Sequence, residues 1–485
     1  MTGADSIAGE SLRPMTRRAG ALQRPWSYRL GRLAVTRFRL CAAVVIALAA
    51  FNVFWRLPST TIWSLDEARY GVAASEMLRA HHYLVPTYAG RPEYWNLKPP
   101  LGYWLIEASY HLLGPSVLAL RLPSALSALA VVWLTMLFCK RHVGRRAAIL
   151  AGLLVATCFG FLSNHGARSG GLDAELALLM TAGLMTVPRL HDSPAMRLAW
   201  GALLALGFLV KSFAILPFVL AAAIYRLTSS ERPRGLVRAW LPATAAFAVI
   251  VGGWALLRTL HDGTGEFVER MLSEDLFMRA AHNIDGAASL PWSYAAGLLD
   301  RFAPWPLFML AWAGRPRSAL SARHRATVKL LLLWALLPLA LFSLARTHHH
   351  WYLDPSYPAW AILGALAVLK SFRLMPWRIA LSCSALALLV CEARLIGHIV
   401  LREQRPQDQT FLMSLHPQGC GGQSLVSTSR LEFSQRFILE VLDGFAVYEP
   451  NQPGPAAAAP GCRSRVMLSR GPAGEFTVAR AFLPG

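Results

Sequence analysis

The stretch "CAAVVIALAAFNVFWRLPSTTIWSLDEARY" (41–70) sets the problem. About fifteen uncharged, mostly apolar residues run up to Trp55, and within a dozen more the chain places Asp66 beside Glu67. A hydrophobic run ending at acids is the pattern of a membrane span with a polar outer lip, and the rest of the chain repeats it. Of the 485 residues, 55% are hydrophobic and 15% charged, against about 25% charged in an average soluble domain. This is the composition of a polytopic membrane protein. The balance of 48 Lys+Arg against 27 Asp+Glu gives a net charge of +21. The cations lie in short clusters between apolar runs, which fits loops facing an anionic leaflet and weighs against nucleic acid.

Spanning takes roughly 20 apolar residues, and about eleven runs qualify or come close: 40–57, 117–138, 147–165, 174–190, 198–211, 213–227, 239–257, 294–313, 328–345, 357–371 and 379–397. Alternate connections are basic: Arg13 through Arg39, "KRHVGRR" (140–146), Arg189 with Arg197, "ERPRGLVR" (231–238), "RPRSALSARHRATVK" (315–329) and "KSFRLMPWR" (370–378). The positive-inside rule puts these in the cytoplasm. The acids and lone cations, the His run and the tail then face outward. The predicted organisation is a basic cytoplasmic arm (1–39), an all-α transmembrane domain (40–397) and a small mixed outer domain (398–485). The arm has no cleavage-site pattern and reads as the lead-in to an uncleaved first helix, not as a signal peptide. Five of the seven cysteines lie in or beside apolar runs; Cys420 and Cys462 lie in the tail, where an oxidising compartment would let them pair. In the first outer loop, Leu101, Trp104, Leu105, Ala108 and Leu112 of "PPLGYWLIEASYHLL" (99–113) share one helical face, predicting a helix lying in the interface.

The outer ends carry the polar chemistry. Asp66 and Tyr70 are four apart and share a helical face; Asp66 and Glu67 are either ordinary interfacial acids or acceptors for a substrate hydroxyl proton. Lys98, ahead of two prolines and among Tyr94, Trp95 and Trp104, is either a snorkelling lysine or a fixed ammonium for a lipid phosphate. Asp173, after "SGGL", suits a helix N-terminus and also the wall of a cavity. In "FSLARTHHHWYLDPSYP" (342–358) consecutive histidines point apart, so contacts of His348, His349, Arg346 and Tyr352 with anionic or polyol groups explain the run better than a metal does. A transporter would gather its charges at the midplane. Here they gather at the lip, which favours an active site fed by lipid; a transporter, or a non-catalytic scaffold whose tail binds envelope partners, is the alternative.

In this order, "DEARY", "YWNLKPPLGYW", the "GLDA" aspartate, "EDLFMR" and "FSLARTHHHWYLDPSYP" resemble the lipid-linked-sugar glycosyltransferases of GT-C architecture. The nearest group is the aminoarabinose transferases of lipid A, which are similar to the protein O-mannosyltransferases. The resemblance covers roughly 55–365. It implies a polyprenyl-phosphate sugar donor, inverting transfer, and an envelope lipid or glycan acceptor on the periplasmic side of the inner membrane, with protein hydroxyls as the alternative acceptor. Carried over residue by residue, Asp66, Glu67 and Asp173 are expected to be catalytic. Lys98, Arg279 and Tyr352 would hold the donor phosphate. Arg69, Tyr70, Tyr94, Lys211, Glu274, Arg346, His348 and His349 would line the substrate site. Leu97 stands where the family commonly has Glu, and Asp275 where a His completes a zinc pair, so neither a metal nor another cofactor is expected. Arg346-Thr347-His348 replaces a common Lys, and the sugar need not be aminoarabinose.

Overall fold

The computed structural model describes residues 36–482, apart from 95, 164, 191–192, 230–232, 279–280, 283–289, 291, 314–321, 418–422, 451–463 and 472–473. Among the described residues, fifteen helices of nine or more residues carry the membrane part: α1 (Phe38–Phe54), α2 (Asp66–Ala80), α3 (Leu101–Leu113), α4 (Val117–His142), α5 (Arg145–Ala156), α6 (Asp173–Thr186), α7 (Pro194–Lys211), α8 (Leu216–Ser229), α9 (Pro233–Phe247), α10 (Gly253–Asp262), α11 (Ser293–Arg301), α12 (Trp305–Ala313), α13 (Ala322–Leu344), α14 (Tyr357–Leu374) and α15 (Trp377–Leu401). Six stretches are long and apolar enough to cross a bilayer: Phe38–Ser59, Val117–His142, Pro194–Ser229, Trp240–Asp262, His324–Leu344 and Trp377–Leu401. The chain is a multi-pass, predominantly helical membrane protein.

The expected runs are all built of helix, but several are broken. Run 147–165 stops at Ala156 and resumes as a single turn, Phe159–Leu162; at 1.5 Å per residue α5 is about 18 Å long, short of a hydrocarbon core of about 30 Å. Run 294–313 divides into α11 and α12 at Phe302–Pro304. Pro194–Ser229 as one rod would measure about 54 Å; it breaks at Ser212, whose φ of 42° and ψ of −125° are not helical. α7 then packs on α6 and α9, while α8 packs on α13. The approach of α7 to α9 requires Gly201, where a Cβ would sit 2.1 Å from the Ala243 carbonyl oxygen. α14 is almost wholly buried against α5 and α12.

The opening stretch is fixed by two buried arginines from distant segments. Arg168 Nη1 donates to the carbonyls of Asn52 (2.8 Å), Val53 (2.8 Å) and Trp55 (3.1 Å), satisfying the orphan acceptors at the end of α1. Arg121 of α4 donates to Leu57 O (2.6 Å), Thr60 Oγ1 (2.6 Å) and Thr61 O (2.5 Å), pinning the link to α2. The helix predicted over 99–113 forms as α3 (Leu101–Leu113). Its packed face is Gly102, Tyr103, Ile106 and Tyr110, and the stripe of Leu105, Ala108 and Leu112 is exposed, as a lipid-facing surface would be.

After Leu401 the chain forms a mixed unit, with helices α16 (Gln407–Leu412) and α17 (Phe433–Phe437). Counting the two-residue hairpin β1 (Thr87–Tyr88) and β2 (Arg91–Pro92), its strands are β3 (Ser424–Ser427), β4 (Ala446–Tyr448), β5 (Ser464–Arg470) and β6 (Phe476–Phe482), in the order β4-β3-β5-β6. β3 is parallel to both neighbours, and β5 and β6 are antiparallel. The unit docks on α2: Arg79 Nη2 meets Glu440 Oε1 at 2.6 Å, and Gln409 exchanges two hydrogen bonds with the Ile62 backbone. Cys420 and Cys462, which an oxidising compartment would let pair, lie outside the described residues, and Cys41, Cys139, Cys158, Cys383 and Cys391 are free thiols.

Candidate active site

Asp66 and Asp173 are each the first residue of a helix, α2 and α6, where the macrodipole favours a carboxylate. Asp173 is buried and accepts a 2.6 Å bond from Lys211 Nζ, the last residue of α7. Asp66 is half-buried and, among the described residues, has neither a hydrogen bond nor an ion pair. Its charge acts on Asp173, Lys211, His165 and Tyr70, which places one free carboxylate beside one neutralised carboxylate. The Lys211 ammonium also lies 5.7 Å from the centre of the Tyr352 ring. Two residues with positive φ flank this group: Leu65 (72°), before Asp66, and Ser212 (42°), after Lys211. Strained backbone of this kind costs about 1–3 kcal/mol per residue and clusters at functional sites.

His165 stacks on Trp351 with ring centroids 3.7 Å apart. The charges of Asp66 and Asp173 both act on it. Among the described residues, Asp354 is buried with no hydrogen-bond partner on either carboxylate oxygen, and Arg301 Nη1 and His350 Nε2 are likewise buried without one. Burial drives the Asp354 carboxyl well up, with Asp173 adding to it, and takes His350 down to about 3. Neither Asp354 nor His165 stood out in the sequence. Their position emerges only when the segments around 165 and 354 are brought together.

The remaining expected site residues divide. Glu67 gives both oxygens to the fold: Arg121 Nε and Nη2 (2.7 and 2.9 Å), Gly170 N (2.7 Å) and Trp63 N (2.8 Å). Four donors tie it into the fold, which sets it apart from Asp66. Arg69 likewise turns from the site: it pairs with Glu93 and lies 4.4 Å over Tyr88 and 4.5 Å over Phe433. Tyr70 is buried edge-on to Tyr103 at 5.4 Å, and burial raises its phenol well above the usual value. Lys98 Nζ meets Asp275 Oδ1 at 2.6 Å, and Ser212 Oγ also donates to Asp275. An ion pair thus joins Asp275, at one of the two positions of the family's zinc pair, to Lys98, next to Leu97 at the other. Tyr94 and Glu274 share Arg270, whose Nε lies 2.7 Å from Glu274 Oε1. His348 is held by Ser293 Oγ (2.6 Å) and Ala345 O (2.8 Å), whereas His349 stacks on Trp351 at 4.4 Å, so the run diverges. Arg346 is exposed. Arg279 lies outside the described residues.

Residues 97–254 match the family model of the dolichyl-phosphate-mannose-protein mannosyltransferases. The chain is 28% identical over 377 residues to undecaprenyl phosphate-alpha-4-amino-4-deoxy-L-arabinose arabinosyl transferase 2 of Pseudomonas fluorescens, covering 75% of this chain. It is 30% identical over 335 residues to transferase 1 of another strain of that species, covering 67% of this chain. The chain spans 62% and 57% of these relatives' own lengths. Among solved structures, ArnT from Cupriavidus metallidurans bound to undecaprenyl phosphate superposes with a TM-score of 0.66 at 19% identity, over 86% of each chain. Its apo form gives 0.66 at 18%, over 90% of this chain and 93% of the other. These likenesses show a shared fold.

Proposed function

We propose that the chain is a GT-C relative of the aminoarabinose transferases and acts as an inverting glycosyltransferase of the bacterial inner membrane. It moves a sugar from a polyprenyl-phosphate donor to an envelope lipid or glycan acceptor of the lipid A kind, at a site facing the periplasm. In this reading the eleven helical runs cross the bilayer and residues 398–485 form a periplasmic domain. The observation that carries the mechanism is the contrast between Asp66, free and half-exposed, and Asp173, neutralised by Lys211.

Inversion requires the acceptor oxygen to attack the anomeric carbon opposite the phosphate. Asp66 takes the acceptor proton as the new C–O bond forms. The bond from the anomeric carbon to phosphate oxygen breaks, and its electron pair leaves on polyprenyl phosphate. Lys211 is bonded to Asp173, Lys98 is linked to the adjacent Ser212 through Asp275, and positive charge at the leaving oxygen is where an electrostatic site gains most. Asp173 keeps the Lys211 ammonium charged and aimed. Glu67 is the support beneath Asp66. Recruiting Lys98 to phosphate would loosen its bond to Asp275, so donor binding and the union of the two outer loops are linked.

The family model that matches 97–254 is one of protein mannosyltransferases, which makes a protein hydroxyl the second reading for the acceptor. The test offers purified protein a panel of polyprenyl-phosphate sugars with extracted envelope lipids or envelope proteins. A mass increase in the lipid fraction and stoichiometric release of polyprenyl phosphate are expected. An increase confined to protein would replace the acceptor, and no release with any donor would contradict the reading.

A further inference from the structure

At the end of α1 remote from Asp66, about 26 Å along that helix, a groove of about 720 Å³ opens between α1 and α4. Its floor is small because Ala42, Ala43 and Ala130 supply it, and its walls are Ile46, Trp133 and Leu137. The lining residues of α4 run from Leu129 to Lys140, about 16 Å of helix, or roughly one leaflet of a hydrocarbon core about 30 Å thick. One end is basic, with Arg39 in the first turn of α1 and Lys140 in the last turn of α4. Neither has a carboxylate partner among the described residues, and Lys140 Nζ lies over the face of Phe38, 4.7 Å from the ring centre. A groove that was only a packing fault would have no reason to collect two uncompensated cations at one end.

We propose that this groove is a binding site for one anionic glycerophospholipid of the cytoplasmic leaflet, its acyl chain along Ile46, Trp133 and Leu137 and its phosphate between Arg39 and Lys140. The apolar length calls for a chain and the two cations for an anion; a free phosphate meets only the second demand. The N-terminal arm is a poor occupant, because Arg13, Arg17, Arg18, Arg24, Arg29 and Arg32 outnumber Asp5 and Glu10 and would face like charge at the mouth. Nothing in this assignment depends on the transferase reading.

The test is native mass spectrometry of the full-length protein released from mixed phosphatidylglycerol and phosphatidylcholine vesicles. Phosphatidylglycerol should be retained preferentially. Arg39→Gln and Lys140→Gln should each lower that preference about fivefold, the worth of one cation near an anionic surface. Ala130→Leu and, from the opposite helix, Ala43→Leu should abolish retention by filling the groove; two fillers guard against the misfolding of one, which size-exclusion elution reports. Glycerophosphate should not displace the lipid. Equal retention of the two lipids, indifference to both Gln variants, retention in both filled variants, or displacement by glycerophosphate would each overturn the proposal.

Discussion

Asp66 and Glu67 are neighbours with the same chemistry and different partners. The structure separates them by what they touch: four donors saturate Glu67, and none of the described groups bonds Asp66. Asp66→Asn is therefore expected to keep the fold and lose about 100- to 10,000-fold in transfer rate, the usual worth of a positioned proton acceptor. Arg121→Met should instead act on stability, lowering it by about 3–5 kcal/mol, because it leaves a buried carboxylate unpaired. Adding Glu67→Gln should recover part of that loss, and thermal unfolding of the single and double variants checks it. Leu65 offers a third contrast. At φ 72° a leucine is strained and a glycine is not, so Leu65→Gly should gain about 1 kcal/mol in stability while Asp66, less firmly aimed, loses activity.

At the scale of elements, long apolar helices such as α4 and α15 were legible because length and hydrophobicity alone define a span. α3 was legible in its period, and the structure adds that the Leu105–Leu112 stripe is the exposed side. The breaks at Ala156 and Ser212 were not, because packing onto neighbouring helices imposes them. Asp66 and Asp173 could be found as acids at helix starts after apolar runs. Arg121 and Arg168 looked like stray charges, since their partners lie 54 or more residues away in the chain and only the fold assembles them. Asp354 was hidden in a run whose histidines drew attention first. The mixed unit after Leu401 makes its own prediction. Asp443, at the end of the turn after α17, is pushed by burial up to about 7, against about 3.9 in an unfolded chain. A raised carboxyl stabilises the fold below the lower value and loses that contribution as pH rises towards the higher one. The unit should therefore loosen between about pH 4 and 7, and Asp443→Asn should flatten the change when unfolding is followed across that range.

The whole molecule ties three regions to one site. The helical bundle supplies Asp173 and Lys211, the first outer loop supplies Asp66 and Lys98, and the terminal unit braces α2 from the other side. That brace rests on Gly71, where a Cβ would fall 2.4 Å from the Phe437 ring. Gly71→Val should undock the unit, raise its susceptibility to limited proteolysis, and lower activity without altering Asp66 itself. Lys211 is the residue through which bundle and loop communicate: its ammonium is bonded to Asp173, and Ser212 beside it reaches Asp275 and so Lys98. The most direct measurement is release of polyprenyl phosphate from a donor sugar by wild type, Asp66→Asn and Glu67→Gln, with each protein's donor binding and thermal stability measured alongside. The account predicts that Asp66→Asn binds donor and stays folded but releases almost nothing, while Glu67→Gln falls in stability and keeps turnover in its folded fraction. Turnover by Asp66→Asn within tenfold of wild type, or a folded, donor-binding Glu67→Gln without turnover, would contradict it.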